Sequence, residues 1–189
     1  MCNEYEPDQD DEREASVWMK DSYVKYGLLP HHKARPTDLG HILHPDDEPD
    51  RYHLTDMNWG FLVPWDKKPL TNAKSETLTT LPTFKPHLHH RCLILARTFT
   101  EKRVKFRPPD RKTFCIAGLW RIELKADTGK SFTMLTTTPN ETVAPYHHRM
   151  PFLLRPEQHW EWLCGDWEKV LADPDKRPLE KIEKQPSLF

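Results

Sequence analysis

The chain has 189 residues, with 28 Lys and Arg against 29 Asp and Glu and a net charge of −1 at pH 7. With 37% hydrophobic residues and a mean hydropathy of −0.81, it reads as one polar globular domain with a core. No apolar run approaches the ~20 residues that a membrane-spanning helix needs, so a membrane class is excluded.

Charge is unevenly spread. Residues 1–14 hold seven acids and one base, whereas residues 83–113 hold nine Lys and Arg and two acids. A basic central segment can follow a phosphate backbone even in a neutral chain, although an ordinary solvated face has the same composition. The cysteines are Cys2, Cys92, Cys115 and Cys164. They form no CxxC pair and no disulfide framework, and the last three read as small buried hydrophobes.

In chain order, the acidic segment from about 3 to 14 is expected to be an exposed loop. Residues 15–27 suit a short helix or irregular strand. The stretch 28–51, rich in Pro, His and Asp, suits a loop with at most a short strand at 41–43. NWGFLVPW (58–65) reads as a strand ending at Pro64. Residues 72–78 could open a helix capped by Thr71 or Asn72. RCLILARTF (91–99), residues 113–124 and residues 131–138 read as strands, the last two joined by hairpin chemistry at Asp127-Thr128-Gly129. Residues 143–154 read as a loop into another strand. After Pro156, Trp160, Leu163, Trp167 and Leu171 recur at helical spacing. Residues 1–172 are expected to form one domain, and residues 173–189 a charged C-terminal tail. The fold class is α+β: a curved, mostly antiparallel, barrel-like sheet with peripheral helices.

Cys2 stands directly behind the initiator and is small enough for Met1 to be trimmed. Trimming would leave an amine and a thiol on adjacent carbons, with reference pKa values of about 8 and about 8.5. Such a pair condenses with an aldehyde to an imine and then closes a thiazolidine ring.

Seven segments in order, namely Met1-Cys2, WGFLVPW (59–65), NAKSET (72–77), RCLILARTFTE (91–101), AGLW (117–120), FTMLTTTPN (132–140) and HHRMP (147–151), resemble the SOS-response-associated peptidase (SRAP) family. Its members bind abasic sites in single-stranded DNA and crosslink to them. The resemblance implies Cys2 as crosslinking nucleophile, Asn72 as the group that positions the sugar, and Glu101 and His147 as proton-transfer groups. His147 suits proton donation to the sugar ring oxygen, and Glu101 at the end of an apolar strand suits a raised pKa.

Lys74, Arg91 and Arg149 are candidate phosphate contacts, with Arg97, Arg103 and Lys105 behind them. Pro64 and Trp65 suit a wedge or stacking platform, since base–aromatic stacking is worth ~1–3 kcal/mol. Trp59, Trp120, Trp160 and Trp167 read as core. The chain departs from the family's Cys-Gly-Arg start with Asn3 and Glu4, and it carries Lys74 where an arginine is usual.

The implied partner is single-stranded DNA with abasic sites, bound by a monomer without membrane or cofactor. The expected location is cytoplasmic, beside the nucleoid in a bacterium or in the nucleus of a eukaryote. Rival classes are a cysteine-type autopeptidase or N-terminal nucleophile hydrolase, and a non-covalent single-strand-binding module. A metal protein is a third, but the HH and HxH pairs lack the spacing of a closed zinc site, so no metal ligands are expected.

Overall fold

Apolar residues in the central strands come in unbroken runs, and a wall covered on both faces explains them. The computed structural model describes residues 2, 4–6, 23–25, 33–46, 51–110 and 113–182. The first strands are β1 (Glu4–Glu6), β2 (Tyr23–Lys25), β3 (Leu39–Pro45), β4 (Arg51–Trp59), β5 (Phe61–Val63), β6 (Asp66–Leu70) and β7 (Asn72–Lys74). They are followed by β8 (Arg91–Ala96), β9 (Thr98–Glu101), β10 (Val104–Arg107), β11 (Phe114–Ile122), β12 (Lys130–Thr137), β13 (Met150–Pro151) and β14 (Leu153–Leu154). Helices α1 (His159–Leu163) and α2 (Trp167–Ala172) precede β15 (Glu180–Ile182). No helix among the described residues is long and apolar enough to cross a membrane.

Strands β4, β3, β8, β11 and β12 form a closed barrel, because β12 also pairs with β4. The closing seam is parallel and joins Ser131 to Asn58 and Phe132 to Trp59, while the other seams are antiparallel. Successive side chains point to opposite faces. Ile42, Met57, Trp59, Ile94, Ile116 and Phe132 pack in one cluster, together with Cys2 and Tyr5. Leu43, Leu54, Leu93, Leu95 and Leu135 pack in a second, which Trp162, Leu163 and Val170 of the helices join. With both faces covered, RCLILA (91–96) needs no polar alternation. A smaller sheet, β1-β9-β10-β15, adds the fully buried Tyr5, Phe99 and Phe106. The expected fold class is therefore the observed one.

Local structure departs from expectation in several places. NWGFLVPW is two strands, because Gly60 adopts φ +125° between β4 and β5. A Cβ at Gly60 would lie 2.6 Å from the Pro69 Cβ, so the turn needs glycine. The chain then makes the β5–β6 hairpin and returns as β7 along β12, with Asn72 opposite Met134. Residues 72–78 are thus a strand and one 3-10 turn (Ser75–Thr77), since pairing on β12 overrides local propensity. Within the acidic segment read as exposed loop, Glu4–Glu6 pair with β9 and bury Tyr5 between the two glutamates. The helix after Pro156 breaks near Gly165, which leaves Trp160 56% exposed and Cys164 exposed rather than in the core. The charged segment after Asp173 carries β15, which pairs with β10, and it buries Asp175 and Leu179. Expectations for residues 7–22, 26–32, 47–50 and 183–189 lie outside the described residues.

The β9–β10 hairpin turns through Lys102 and Arg103, with Glu101 paired to Val104. Both turn residues have positive φ, +48° and +68°. Such two-residue turns match strand twist but ordinarily use Asn-Gly, because a side chain in this left-handed region costs ~1–2 kcal/mol.

Gly40 of β3 lets β1 approach the barrel: an added Cβ would lie 2.1 Å from the Tyr5 hydroxyl and 2.8 Å from the Phe132 ring. Gly40→Ala is expected to destabilise the protein by ~1–3 kcal/mol through overpacking. Urea unfolding checks this as a lower midpoint with unchanged slope.

Candidate functional site

The Tyr5 ring meets the Trp59 ring edge-on, with centroids 5.4 Å apart. Tyr5 thereby anchors β1 in the core, where Cys2 is only 1% exposed. The Cys2 thiol donates to the Glu4 carbonyl at 3.4 Å. Asn72 reaches Cys2 from the start of β7: its Nδ2 donates to the Cys2 carbonyl at 3.0 Å and to Thr71 Oγ1 at 2.9 Å. Both amide protons are then committed. The Asn72 Oδ1 is buried and accepts no hydrogen bond among the described residues, although buried acceptors are nearly always paired. The side chain expected to cap a helix instead ties the barrel wall to the second residue of the chain.

Glu101 ends β9 and is 1% exposed. Burial raises its carboxyl to about 7, against the pull of cations that include Lys102. Burial, followed by the Glu101 charge, pushes the Cys2 thiol up to about 12. The two groups share a space in which both cannot ionise cheaply, so the thiol stays neutral at ordinary pH. The His147 Nδ1 lies 3.7 Å from Glu101 Oε2, an electrostatic contact too long for a hydrogen bond. That nitrogen receives the Arg149 amide proton at 3.0 Å, which leaves the proton of a neutral ring on Nε2. The Arg149 carbonyl, also 3.0 Å away, would accept from the ring when Nδ1 is protonated. Burial lowers the His147 pKa below its usual value. The site therefore holds a carboxyl that changes charge near neutrality beside an imidazole that burial biases toward its neutral form.

The loop that carries His147 is tied down from two sides. Asn140 accepts from the Val143 amide at 3.0 Å, and its own amide donates to the Arg177 carbonyl at 2.7 Å. Thr142 Oγ1 accepts from the Leu179 amide at 3.2 Å. On the other side, the Arg149 guanidinium makes a bidentate pair with Glu76 at 2.7 and 2.8 Å and also donates to the Thr136 carbonyl. Arg149 holds the Glu76 carboxyl below the usual range. Glu76 and Asn140 fall within NAKSET and FTMLTTTPN, but the sequence does not single them out as site residues, because Arg149 and Arg177, which they engage, lie far along the chain. Among the described residues, no group of three or more His, Cys, Asp or Glu could hold a metal ion.

The model of the SOS response associated peptidase (SRAP) family matches residues 1–185. The chain belongs to the SRAP family. Among curated relatives, the abasic site processing protein YoqW of Bacillus subtilis is 35% identical over 127 residues, covering 58% of this chain and 57% of YoqW. The abasic site processing protein YedK of Escherichia coli is 28% identical over 134 residues, covering 65% of this chain and 60% of YedK. The matched chain thus spans little more than half the length of these relatives. A crystal structure of a Bordetella bronchiseptica protein aligns with a TM-score of 0.75 and 23% identity, covering 97% of this chain and 100% of that one. A Bacteroides thetaiotaomicron protein aligns with a TM-score of 0.71 and 20% identity, covering 96% and 92%. These two share the fold.

Against the SRAP expectations for DNA contacts, the side chains divide. Pro64 and Trp65 are exposed at the β5–β6 tip, and Trp65 is 68% exposed rather than packed. Lys74 is exposed and lies on the same side of β7 as Asn72, two residues away. Arg149 is corrected: it is 7% exposed, and its fork is occupied by Glu76 and Thr136, so it offers no free face to a phosphate. Arg91 is also corrected, because its guanidinium donates to the carbonyls of Leu88, Trp162 and Leu163 and so caps the end of α1. Lys105 is engaged by Glu6 at 2.6 Å. The substituted Glu4 is itself neutralised, by Lys33 at 3.4 Å and Arg35 at 3.3 Å.

Glu101 has a folded pKa of about 7 against a reference of 4.5, so the folded chain binds its proton more tightly. Its contribution to stability is full in acid and is lost as pH rises from the reference value through the folded one. Glu101→Gln is expected to match the parent at low pH and to exceed it by ~1–3 kcal/mol in mild alkali. Urea unfolding on both sides of that window measures the difference.

Proposed function

We propose that this chain captures abasic sites in single-stranded DNA by a covalent bond through Cys2, and so shields the lesion. The observation that carries this reading is a buried Cys2, held by Asn72 within the field of Glu101, whose carboxyl lies beside His147. The names of the relatives, abasic site processing proteins, support the substrate class.

In the proposed sequence, removal of Met1 frees the Cys2 amine. His147 donates a proton to the ring oxygen of the closed sugar as the bond from that oxygen to the anomeric carbon breaks. The anomeric hydroxyl gives its proton to the Glu101 carboxylate, which leaves the aldehyde. The amine nitrogen attacks the aldehyde carbon, an N–C bond forms and one amine proton passes to the oxygen. The carbinolamine hydroxyl then leaves as water with a proton from Glu101, and the second amine proton returns to the Glu101 carboxylate to give the imine. The thiol then adds across the imine, with sulfur bonding to carbon and the thiol proton passing to nitrogen. A neutral thiol suits this last step, since the proton it carries is the one the nitrogen needs. The acceptor of Asn72 would receive a sugar hydroxyl, which accounts for its buried oxygen. Lys74 would meet the strand, and Pro64-Trp65 would stack beside the gap. Hydrolysis by a Cys2 thiolate is disfavoured, because burial pushes that thiol up to about 12 and a cysteine peptidase needs the thiolate.

Intact-mass measurement after mixing with an abasic oligonucleotide is the test. A mass increase equal to the oligonucleotide less one water, on a chain lacking Met1, is expected and should survive denaturation. Cys2→Ser keeps the amine but loses the thiol, so its adduct should need borohydride trapping, and Cys2→Ala should behave alike. A stable adduct in either variant, or none in the parent, overturns the proposal.

A further inference from the structure

We infer that the turn Lys102-Arg103 is a phosphate clamp that grips the strand next to the reacting sugar. The inference rests on the abasic-capture reading for the sugar, and on the turn's own geometry for the clamp. The turn is continuous with Glu101, which pairs with Val104 across it, so the two cations stand one and two residues from the buried carboxyl. Both are exposed, and neither has an ion pair or hydrogen bond among the described residues. The nearby cations differ: Lys105 is taken by Glu6, and Lys33 and Arg35 by Glu4.

Folding does not explain these residue types. The positive φ at both positions calls for Asn-Gly, and two long basic side chains are the less stable choice. A disfavoured conformation kept by two unpaired cations beside the buried Glu101 points to a ligand that both touch. That ligand is an anion, and beside a sugar it is the flanking phosphodiester. Lys102 also lies close enough for its charge to act on both Glu101 and His147, although burial is the larger influence on each. A phosphate on Lys102 would cancel that charge and favour the protonated forms of both groups, so strand docking would itself ready the proton donors.

The test separates this role from a structural one. Lys102→Asn with Arg103→Gly installs the favoured turn and removes both charges. Melting temperature should hold or rise, while affinity for a labelled single strand without an abasic site falls about tenfold at low salt. The slope of log affinity against log salt should become shallower by about 0.7 for each phosphate no longer neutralised. Lys102→Gln with Arg103→Gln, which leaves the backbone demand in place, should flatten the slope equally. Unchanged affinity and slope in both variants overturn the clamp. A flattened slope in the variants, with no adduct formed by the parent, would leave the clamp standing and remove the capture reading. Normal capture with an unchanged slope would do the reverse.

Discussion

Strand β12 is the register on which the molecule is built. One edge of it meets β4 through Ser131 and Phe132 and then β7 through Met134, Leu135 and Thr136. The other edge meets β11 and then β13, which pairs Met150 with Thr137. Asn72 therefore enters from one side of the strand, and the segment following His147 from the other. A slip of one residue on either edge would turn Asn72 away from Cys2 or Arg149 away from Thr136. The geometry of the site is inherited from backbone pairing and trimmed by side chains such as Glu76 and Asn140.

Electrostatics then follow from where that register puts the charges. A thiol and a carboxyl are both buried there: burial raises the pKa of each, and the Glu101 charge adds to the thiol's reluctance to ionise. The pocket thus favours uncharged, proton-bearing groups over a thiolate. His147 fits the same pattern, since burial lowers its pKa while the Arg149 amide fixes which nitrogen is bare. Such a space stabilises neutral, proton-bearing neighbours over a free anion.

Much of this was legible in the residues. The runs RCLILA and FCIAGLW mark strands buried on both faces, and the Thr128-Gly129 turn joins β11 to β12 as composition suggested, with Gly129 at φ +72°. What could not be read locally was pairing at a distance. NAKSET looks like a helix start because Asn and Ser cap helices, yet β12 recruits Asn72–Lys74 as a strand. The acidic start looks solvated, yet Glu4–Glu6 pair with β9 and the Tyr5 between the two glutamates is fully buried. Arg149 and Arg91 look like surface cations because charge in a sequence does not state its partner. Glu76 and three main-chain carbonyls, all remote or unmarked in the sequence, claim them.

The excursion through β5 and β6 leaves the wall at Gly60 and rejoins it at Asn72, and both ends are fastened to the same neighbour. The Gly60 amide donates to the Phe132 carbonyl at 2.8 Å, and the Met134 amide to the Thr71 carbonyl at 3.0 Å. The Trp59 indole closes the neck by donating to Thr71 at 2.8 Å. The residues between carry none of the cylinder's circumference. An appendage stapled this way can be shortened, extended or exchanged while the wall keeps its dimensions, so the tip is free to diversify on a scaffold that is not.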